Sequence, residues 1–337
     1  MKLKIAVAAS GHIPSQWAHG INTVKHAEGF SRLGHDVELF APERWHERRL
    51  RGDHPDLNEY YGVSRAVKFT PVRHGFLHYY EEVPVVRKLV SQFHNLTRRT
   101  LVGVGDAEKT VADLVVAGGF DLAYCRCFRT PARLIRRGVP CLVEAHRPRP
   151  TRQLRNLIRL SARREFVCLA TVFPKIGETY VAAGMPTEKI VVHPSGHDGK
   201  AFEIAESKAT LRKKLGLPLD GTIVTYAGSL KPGKAIPFLL AVAKRMRPFH
   251  FVVVGGSESE IAEHREQHLG DADAQVRFIG FVPHRDVARY LKASDVLVLF
   301  YSLRERRRVM DLATTSPIKL FEYMASGVPI VATDVPA

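Results

Sequence analysis

Short apolar runs rich in β-branched residues and alanine alternate with amphipathic stretches through most of the chain, the pattern of parallel strands joined by crossover helices. In the first half this predicts strands over 4–9, 36–41, 122–126, 140–145, 167–173 and 190–193. A helix over 21–33 runs into Gly34, a suitable C-cap, and Asp36 opens the next strand. From Pro42 to Pro84 the periodicity fails and charge, histidine, tyrosine and proline accumulate, so a long loop or irregular insertion is expected there. A second alternating series begins near Leu211, with strands over 222–227, 250–254, 276–280, 296–300 and 329–332 and helices over 235–246, 258–268, 286–292 and 317–325. The turn-forming run His193-Pro194-Ser195-Gly196-His197-Asp198-Gly199 reads as a linker. The expectation is an α/β chain of two doubly wound parallel-sheet domains, residues 1–195 and 196–337, with ligands at strand carboxyl ends in a cleft between them.

Length supports two domains, because 337 residues exceed the roughly 250–300 at which a single core stops growing. No apolar run is long enough to cross a bilayer. The N-terminus imitates a signal peptide, with Lys2 and Lys4 ahead of small residues, but its apolar stretch is too short before Gly11, and it reads as a buried strand. Four cysteines in so long a chain form no disulfide framework, and Cys125 and Cys127 lack a second pair at zinc-finger spacing; reduced thiols of a cytoplasmic protein are expected. The net charge is +16, and much of it falls between Arg126 and Arg164, where arginines recur with only Glu144 and Glu165 to offset them. Nucleic acid, anionic lipid head groups and phosphorylated small molecules all suit such a stripe, and so does a plain solvated face. The absence of aromatic residues from Arg129 to Arg164 counts against nucleic acid.

The densest local signal is Ser316-Pro317-Ile318-Lys319-Leu320-Phe321-Glu322, followed by Gly327-Val328-Pro329-Ile330-Val331-Ala332. Ser316 suits an N-cap, Pro317 the first helical position and Gly327 the end, so a short, sharply bounded helix is predicted. The free N–H groups at its start, over the run Ser316, Pro317 and Ile318 in which the proline itself has none, would form a site for a diphosphate. Lys319 and Glu322 share one face; Glu322 could accept two ribose hydroxyls, or the two could be a surface ion pair.

Taken with other segments, this stretch resembles the family-4 type retaining glycosyltransferases of the GT-B fold, with two facing Rossmann-like domains. Tyr226-Ala227-Gly228-Ser229-Leu230-Lys231-Pro232-Gly233-Lys234 is similar to the family's strand and loop ending in a diphosphate-binding lysine. Arg277-Phe278-Ile279-Gly280-Phe281-Val282 resembles the strand and loop that receive the nucleotide base, and 25–37 resembles the first helix and turn. There are departures: Thr314 stands where the family motif has its first glutamate, and Ser229 replaces the usual arginine. The chain stops at Ala337, short of the family's last elements, so either it is truncated or this member is short.

The resemblance implies a hexosyltransferase-type enzyme that moves a sugar from a nucleotide diphosphate-sugar, its co-substrate, to an unidentified acceptor, with retention and without metal or other cofactor. The donor-binding set would be Gly228, Ser229, Lys234, Phe281, Val282, Ser316, Pro317, Ile318, Lys319 and Glu322. Lys234 would stabilise the departing diphosphate, and His146 would lie near the donor sugar and acceptor. The loop from Gly11 and His12 to Gly20 would line the mouth of the cleft. The arginine stripe could hold a lipid-linked or phosphorylated acceptor at the inner membrane face. The competing expectations are a nucleotide-sugar 2-epimerase, which needs carboxylates for proton abstraction, and a polyanion-binding protein with a decayed donor site. Three further patterns are set aside: Gly103–Glu108 lacks the third glycine of a dinucleotide fingerprint, His264 and His268 lie on a solvated helix, and Asp271 and Asp273 mark a turn.

Overall fold

The computed structural model describes residues 1–9, 11–14, 18–42, 57–63, 67–72, 106–147, 151–231, 234–269, 275–301 and 318–334. The chain divides into two units, Met1–His193 and Pro194–Ala337. The first unit begins β1 (Lys4–Ala8), α1 (Ala18–Arg32), β2 (Asp36–Pro42), α2 (Leu57–Tyr61), β3 (Lys68–Val72) and α3 (Asp106–Ala117). It continues with β4 (Leu122–Cys125), α4 (Arg129–Ile135), β5 (Cys141–Ala145), α5 (Thr151–Ser161), β6 (Phe166–Thr171), α6 (Pro174–Ala182) and β7 (Ile190–Val192).

The seven strands form one parallel sheet in the order β3-β2-β1-β4-β5-β6-β7. The N-terminal run that imitates a signal peptide is thus a central strand, as expected. Its side chains alternate between two cores: Ile5 and Val7 pack on one face, Ala6 and Ala8 on the other. A strand buried on both faces reads as an unbroken apolar run, which is why β1 was legible. Cys125, Cys127 and Cys141 are free and buried, and Cys168 is free and half-buried.

The stretch from Pro42 to Pro84 is more ordered than its sequence suggests, because α2 and β3 lie within it. The strand Lys68-Phe69-Thr70-Pro71-Val72 carries a proline, which a central strand excludes but an edge strand tolerates. β3 is the edge, tied to β2 by Lys68 and Thr70 on Glu38. The loop expected to run to Gly20 also ends earlier, since Gly20 is already inside α1.

The second unit contains α7 (Lys208–Lys214), β8 (Ile223–Ala227), α8 (Ile236–Arg245), β9 (His250–Val254), α9 (Glu258–His268) and β10 (Val276–Gly280). α10 (His284–Lys292), β11 (Val296–Leu299), α11 (Ile318–Ser326) and β12 (Ile330–Ala332) complete it. The parallel strands β10-β9-β8-β11-β12 reverse their order between β8 and β11. Helix entry is set locally: Ser257 and Glu260 form a capping box at α9, and Ser207 caps α7. Arg212 of α7 reaches Ala293 O at 3.0 Å and pairs with Asp295, which accepts from Ile223 N at 2.8 Å, so one buried guanidinium fastens α7 to the start of β8 and β11.

Candidate functional site

In each sheet the order switches beside the first strand, and the carboxyl ends at such a switch are where open α/β sheets bind ligands. In the second unit the switch lies at Ala227 and Leu299, and three glycines gather beside it. Gly228 N donates to Val254 O at 2.8 Å, and Gly255 N donates to Gly280 O at 2.7 Å. A Cβ on Gly255 would stand 2.3 Å from Gly228 O, and its φ of +114° suits glycine alone. Backbone from three strand ends is thereby brought closer than any side chain would permit.

Lys319 fills the space this creates, for a Cβ on Gly228 would coincide with its ammonium, at 1.7 Å. Lys319 Nζ donates to Tyr226 Oη at 2.9 Å and lies 4.5 Å from the ring centre. Tyr226 Oη in turn donates to Ser229 O at 2.8 Å. Burial, with Lys234 adding repulsion, lowers the Lys319 pKa to about 7 against the pull of Glu322. Lys234 Nζ sits 4.8 Å from the Tyr301 ring centre. Two ammoniums on two tyrosine faces thus mark the switch point. The buried Tyr323 hydroxyl accepts from Ala227 N at 2.8 Å and holds α11 against the end of β8.

Lys319 and Glu322 are three residues apart, yet each has a different partner. Glu322, 8% exposed, accepts from His284 Nε2 at 2.6 Å. The expected ribose acceptor is therefore braced by a histidine that sequence reasoning missed. Phe281, after β10, is half exposed, whereas Val282 packs against the core under β8 and β11. Ser229 is partly buried and offers its carbonyl to Tyr226. Ile318 opens α11, but Ser316, Pro317 and Thr314 lie outside the described residues, as do Asp271, Asp273 and 103–105. His264, expected in solvent, is half-buried with Nε2 3.0 Å from Leu230 O, so it ties α9 to the loop after β8.

In the first unit His146 lies against a buried ion pair. Arg126 and Glu144, 6% and 4% exposed, stand 3.3 Å apart at the ends of β4 and β5. Arg126 also donates to Thr23 Oγ1 at 2.9 Å and His19 O at 3.1 Å, and burial lowers its pKa to about 10, so it stays charged at neutral pH. His146 Nε2 meets both Arg126 Nη2, at 2.5 Å, and Glu144 Oε1. A proton on Nε2 is held by the carboxylate; a lone pair there accepts from the guanidinium. The tautomer fixed by this contact decides what the exposed edge of the ring offers. Glu144 Oε2 is buried with no hydrogen-bond partner among the described residues. His26 stacks on Tyr124 at 5.3 Å, and burial depresses its pKa despite the opposing charge of Glu144. Gly11 lies against the His19 ring, where a Cβ would come within 2.3 Å of Nε2, and His12 is partly buried beside it in sequence.

Among the described residues no group of three or more His, Cys, Asp or Glu side chains is placed to hold a metal, and no helix is long and apolar enough to cross a membrane.

Residues 221–337 match the family described as Glycosyl transferases group 1. The D-inositol 3-phosphate glycosyltransferase of Stackebrandtia nassauensis is 30% identical over 162 residues, which cover 44% of this chain and 34% of that protein. The enzyme of the same name from Mycobacterium tuberculosis is 28% identical over 155 residues, 44% of this chain and 30% of its own. The chain therefore aligns with about a third of the length of these relatives. Anabaena HepE, solved in complex with UDP, superposes with a TM-score of 0.64 at 17% identity, covering 99% of this chain and 81% of HepE. An Escherichia coli structure titled trehalose-6-phosphate, bound with UDP-2-fluoro glucose, gives 0.61 at 13% identity, covering 98% and 83%. The two-lysine switch point thus lies within the segment that matches the group 1 glycosyl transferases, and the chain has the two-sheet α/β fold of the GT-B glycosyltransferases.

Proposed function

We propose that this chain is a glycosyltransferase that takes its sugar from a nucleotide diphosphate-sugar, with UDP the first candidate, and holds that donor in the second unit. The observation that carries the reading is the placement of Lys234 and Lys319 beside Gly228 at the β8–β11 switch point, within the segment matching group 1 glycosyl transferases. A diphosphate needs close backbone approach and positive charge; Gly228 allows the first, and Lys234 with a Lys319 that protonates beside the anion would supply the second. Phe281, half exposed after β10, would meet the base, and Glu322, braced by His284, the ribose. Ser316 and Pro317 remain assigned to the diphosphate by resemblance alone.

Two structural neighbours, HepE and the Escherichia coli protein, were solved with UDP or a UDP sugar bound, which supports the choice of base. As the glycosidic bond breaks, charge gathers on the departing diphosphate, and Lys234 with Lys319 would stabilise it; such preorganised charge is usually the largest catalytic contribution. Retention, independence from metal or other cofactor, and the family-4 subtype belong to the proposal through the resemblance. The first unit would serve the acceptor, with His146 as the polar group it offers. The epimerase reading is less favoured, because the described carboxylates at the second unit's switch point reduce to Glu322, already engaged by His284.

The test is calorimetric titration of UDP into the chain and into Lys234→Ala. Loss of one charge-assisted contact should weaken binding by about tenfold or more. Equal affinity for the two would remove the donor-site assignment.

A further inference from the structure

The first unit contains a second feature that the proposed donor chemistry does not use. Between α4 and α5 lies a cavity of about 850 Å³ lined by six arginines: Arg129 and Arg133 from α4, Arg136 at its C-cap, and Arg152, Arg155 and Arg159 from α5. Their spacing follows from the helices. On each, the arginines recur every three or four residues along one face, while Leu134 and Ile135 of α4 and Leu157 and Leu160 of α5 are buried on the other. The packing that anchors the two helices to the sheet therefore turns both cationic rows toward one groove.

Among the described residues few carboxylates approach them, and Asp113, which pairs with Arg137, also feels the charge of Arg133. Among the described residues the only carboxylate paired with any of the six is Glu108, 3.8 Å from Arg129 Nε. Arg136 has a long contact of 3.5 Å to the Asn156 amide oxygen. Guanidiniums do not shed their protons at neutral pH, so the groove keeps its charge and repels itself until an anion enters. Guanidinium forks match phosphate oxygens two at a time. The cavity is concave, and its one aromatic residue, Phe128, is only 9% exposed, so no platform exists for stacked bases.

We propose that the α4–α5 groove binds a compact ligand carrying two or more phosphate groups, through the forks of these six arginines. The ligand chemistry is shared by a soluble polyphosphorylated molecule and by an anionic phospholipid head group. This proposal stands apart from the glycosyltransferase reading, since it uses none of the residues assigned to the donor.

Inorganic pyrophosphate is the probe, titrated calorimetrically into the full chain carrying Lys234→Ala so that the other assigned phosphate site is weakened. Adding Arg133→Ala and Arg155→Ala should lower affinity by about tenfold or more, while Arg163→Ala with Arg164→Ala, the same charge removed outside the groove, should change it by less than about twofold. If both pairs lower it equally, the effect is diffuse charge and the site is refuted; no binding by the parent chain refutes it as well. Arg133→Lys with Arg155→Lys guards against misfolding, because it keeps the charge and should still lose affinity if forks are the recognition element. Unchanged UDP affinity in the groove variants separates this result from failure of the donor site. Sedimentation with vesicles of cardiolipin, whose head group carries two phosphates, but not with phosphatidylcholine vesicles, in a groove-dependent manner assigns the phosphates to a lipid. Pyrophosphate binding without sedimentation assigns them to a soluble molecule. An oligonucleotide that binds more tightly than pyrophosphate and is lost with either arginine pair would overturn the proposal in favour of nucleic acid.

Discussion

Replacing Lys319 by Met should change how stability depends on pH, and by an amount the structure allows to be worked out. The Lys319 ammonium is partly buried on the Tyr226 ring, and its pKa falls from 10.5 to about 7. In the unfolded chain it returns to the ordinary lysine value. Between those limits the unfolded state binds the extra proton, so stability rises with pH across the window from about 7 to 10.5. Burying Lys319 costs about 5 kcal/mol at pH 6, where it stays charged, and about 2 kcal/mol at pH 9, where it is buried neutral at the expense of its proton, which leaves a gain of about 3 kcal/mol between them. Lys319→Met has no proton to lose and should lack that gain. Urea denaturation followed by circular dichroism at pH 6 and pH 9 measures the difference, with exchange protection of the β8 amides locating it in the second unit. Wild type and variant differing by the same amount at both pH values would refute the argument. If a diphosphate binds here, it restores the charge, and UDP binding above pH 7 should take up a proton, visible as a buffer-dependent heat.

Gly255→Ala places a methyl group 2.3 Å from Gly228 O at a positive φ and should cost about 3 kcal/mol or more, whereas Gly29→Ala, in open space within α1, should stabilise by roughly 0.5–1 kcal/mol; thermal unfolding of the pair checks both signs. Glu322→Ala should weaken UDP binding, and His284→Gln should weaken it less, because the histidine acts by bracing the carboxylate; an unaltered UDP dissociation constant in Glu322→Ala would end the ribose assignment. His146→Ala should lower turnover while sparing UDP affinity, and turnover equal to wild type would leave His146 as a partner of Arg126 and Glu144 alone.

The sheets were legible because their central strands are buried on both faces and read as continuous apolar runs: β1, β8 and β9 are examples. β3 was not, since an edge strand with Lys68 and Pro71 loses both the apolar run and the ladder donor by which a strand is known. The site shows the same division. Lys234, Lys319 and Glu322 sit in local motifs with recognisable spacing, so the sequence could nominate them. His284 lies 38 residues from Glu322, and Tyr226 lies 93 from Lys319. Such partners are fixed by the crossing of strands, and no local pattern announces them. Glu144 appeared in the sequence only as an offset to the arginine stripe, yet folding buries it against Arg126 and His146.

The protein's excess positive charge is held in three ways, and the choice of side chain follows from solvent access. At the second unit's switch point the cations are lysines seated on tyrosine rings, and burial there drives Lys319 toward neutrality at physiological pH. A lysine can accept that solution because it can release its proton. Arg126 cannot: its pKa falls only to about 10, and so it is buried with Glu144 as counter-charge. Between α4 and α5 the one carboxylate paired with the arginines among the described residues is Glu108, and five of the six are exposed with Arg133 half-buried, so water hydrates them until an anion does. The buried lysine is therefore a cation that a bound diphosphate would call into being, whereas the arginine groove is a standing charge. Binding at the first should depend on pH near 7 and little on the loss of distant charge; binding at the second should depend steeply on salt and hardly at all on pH in that range.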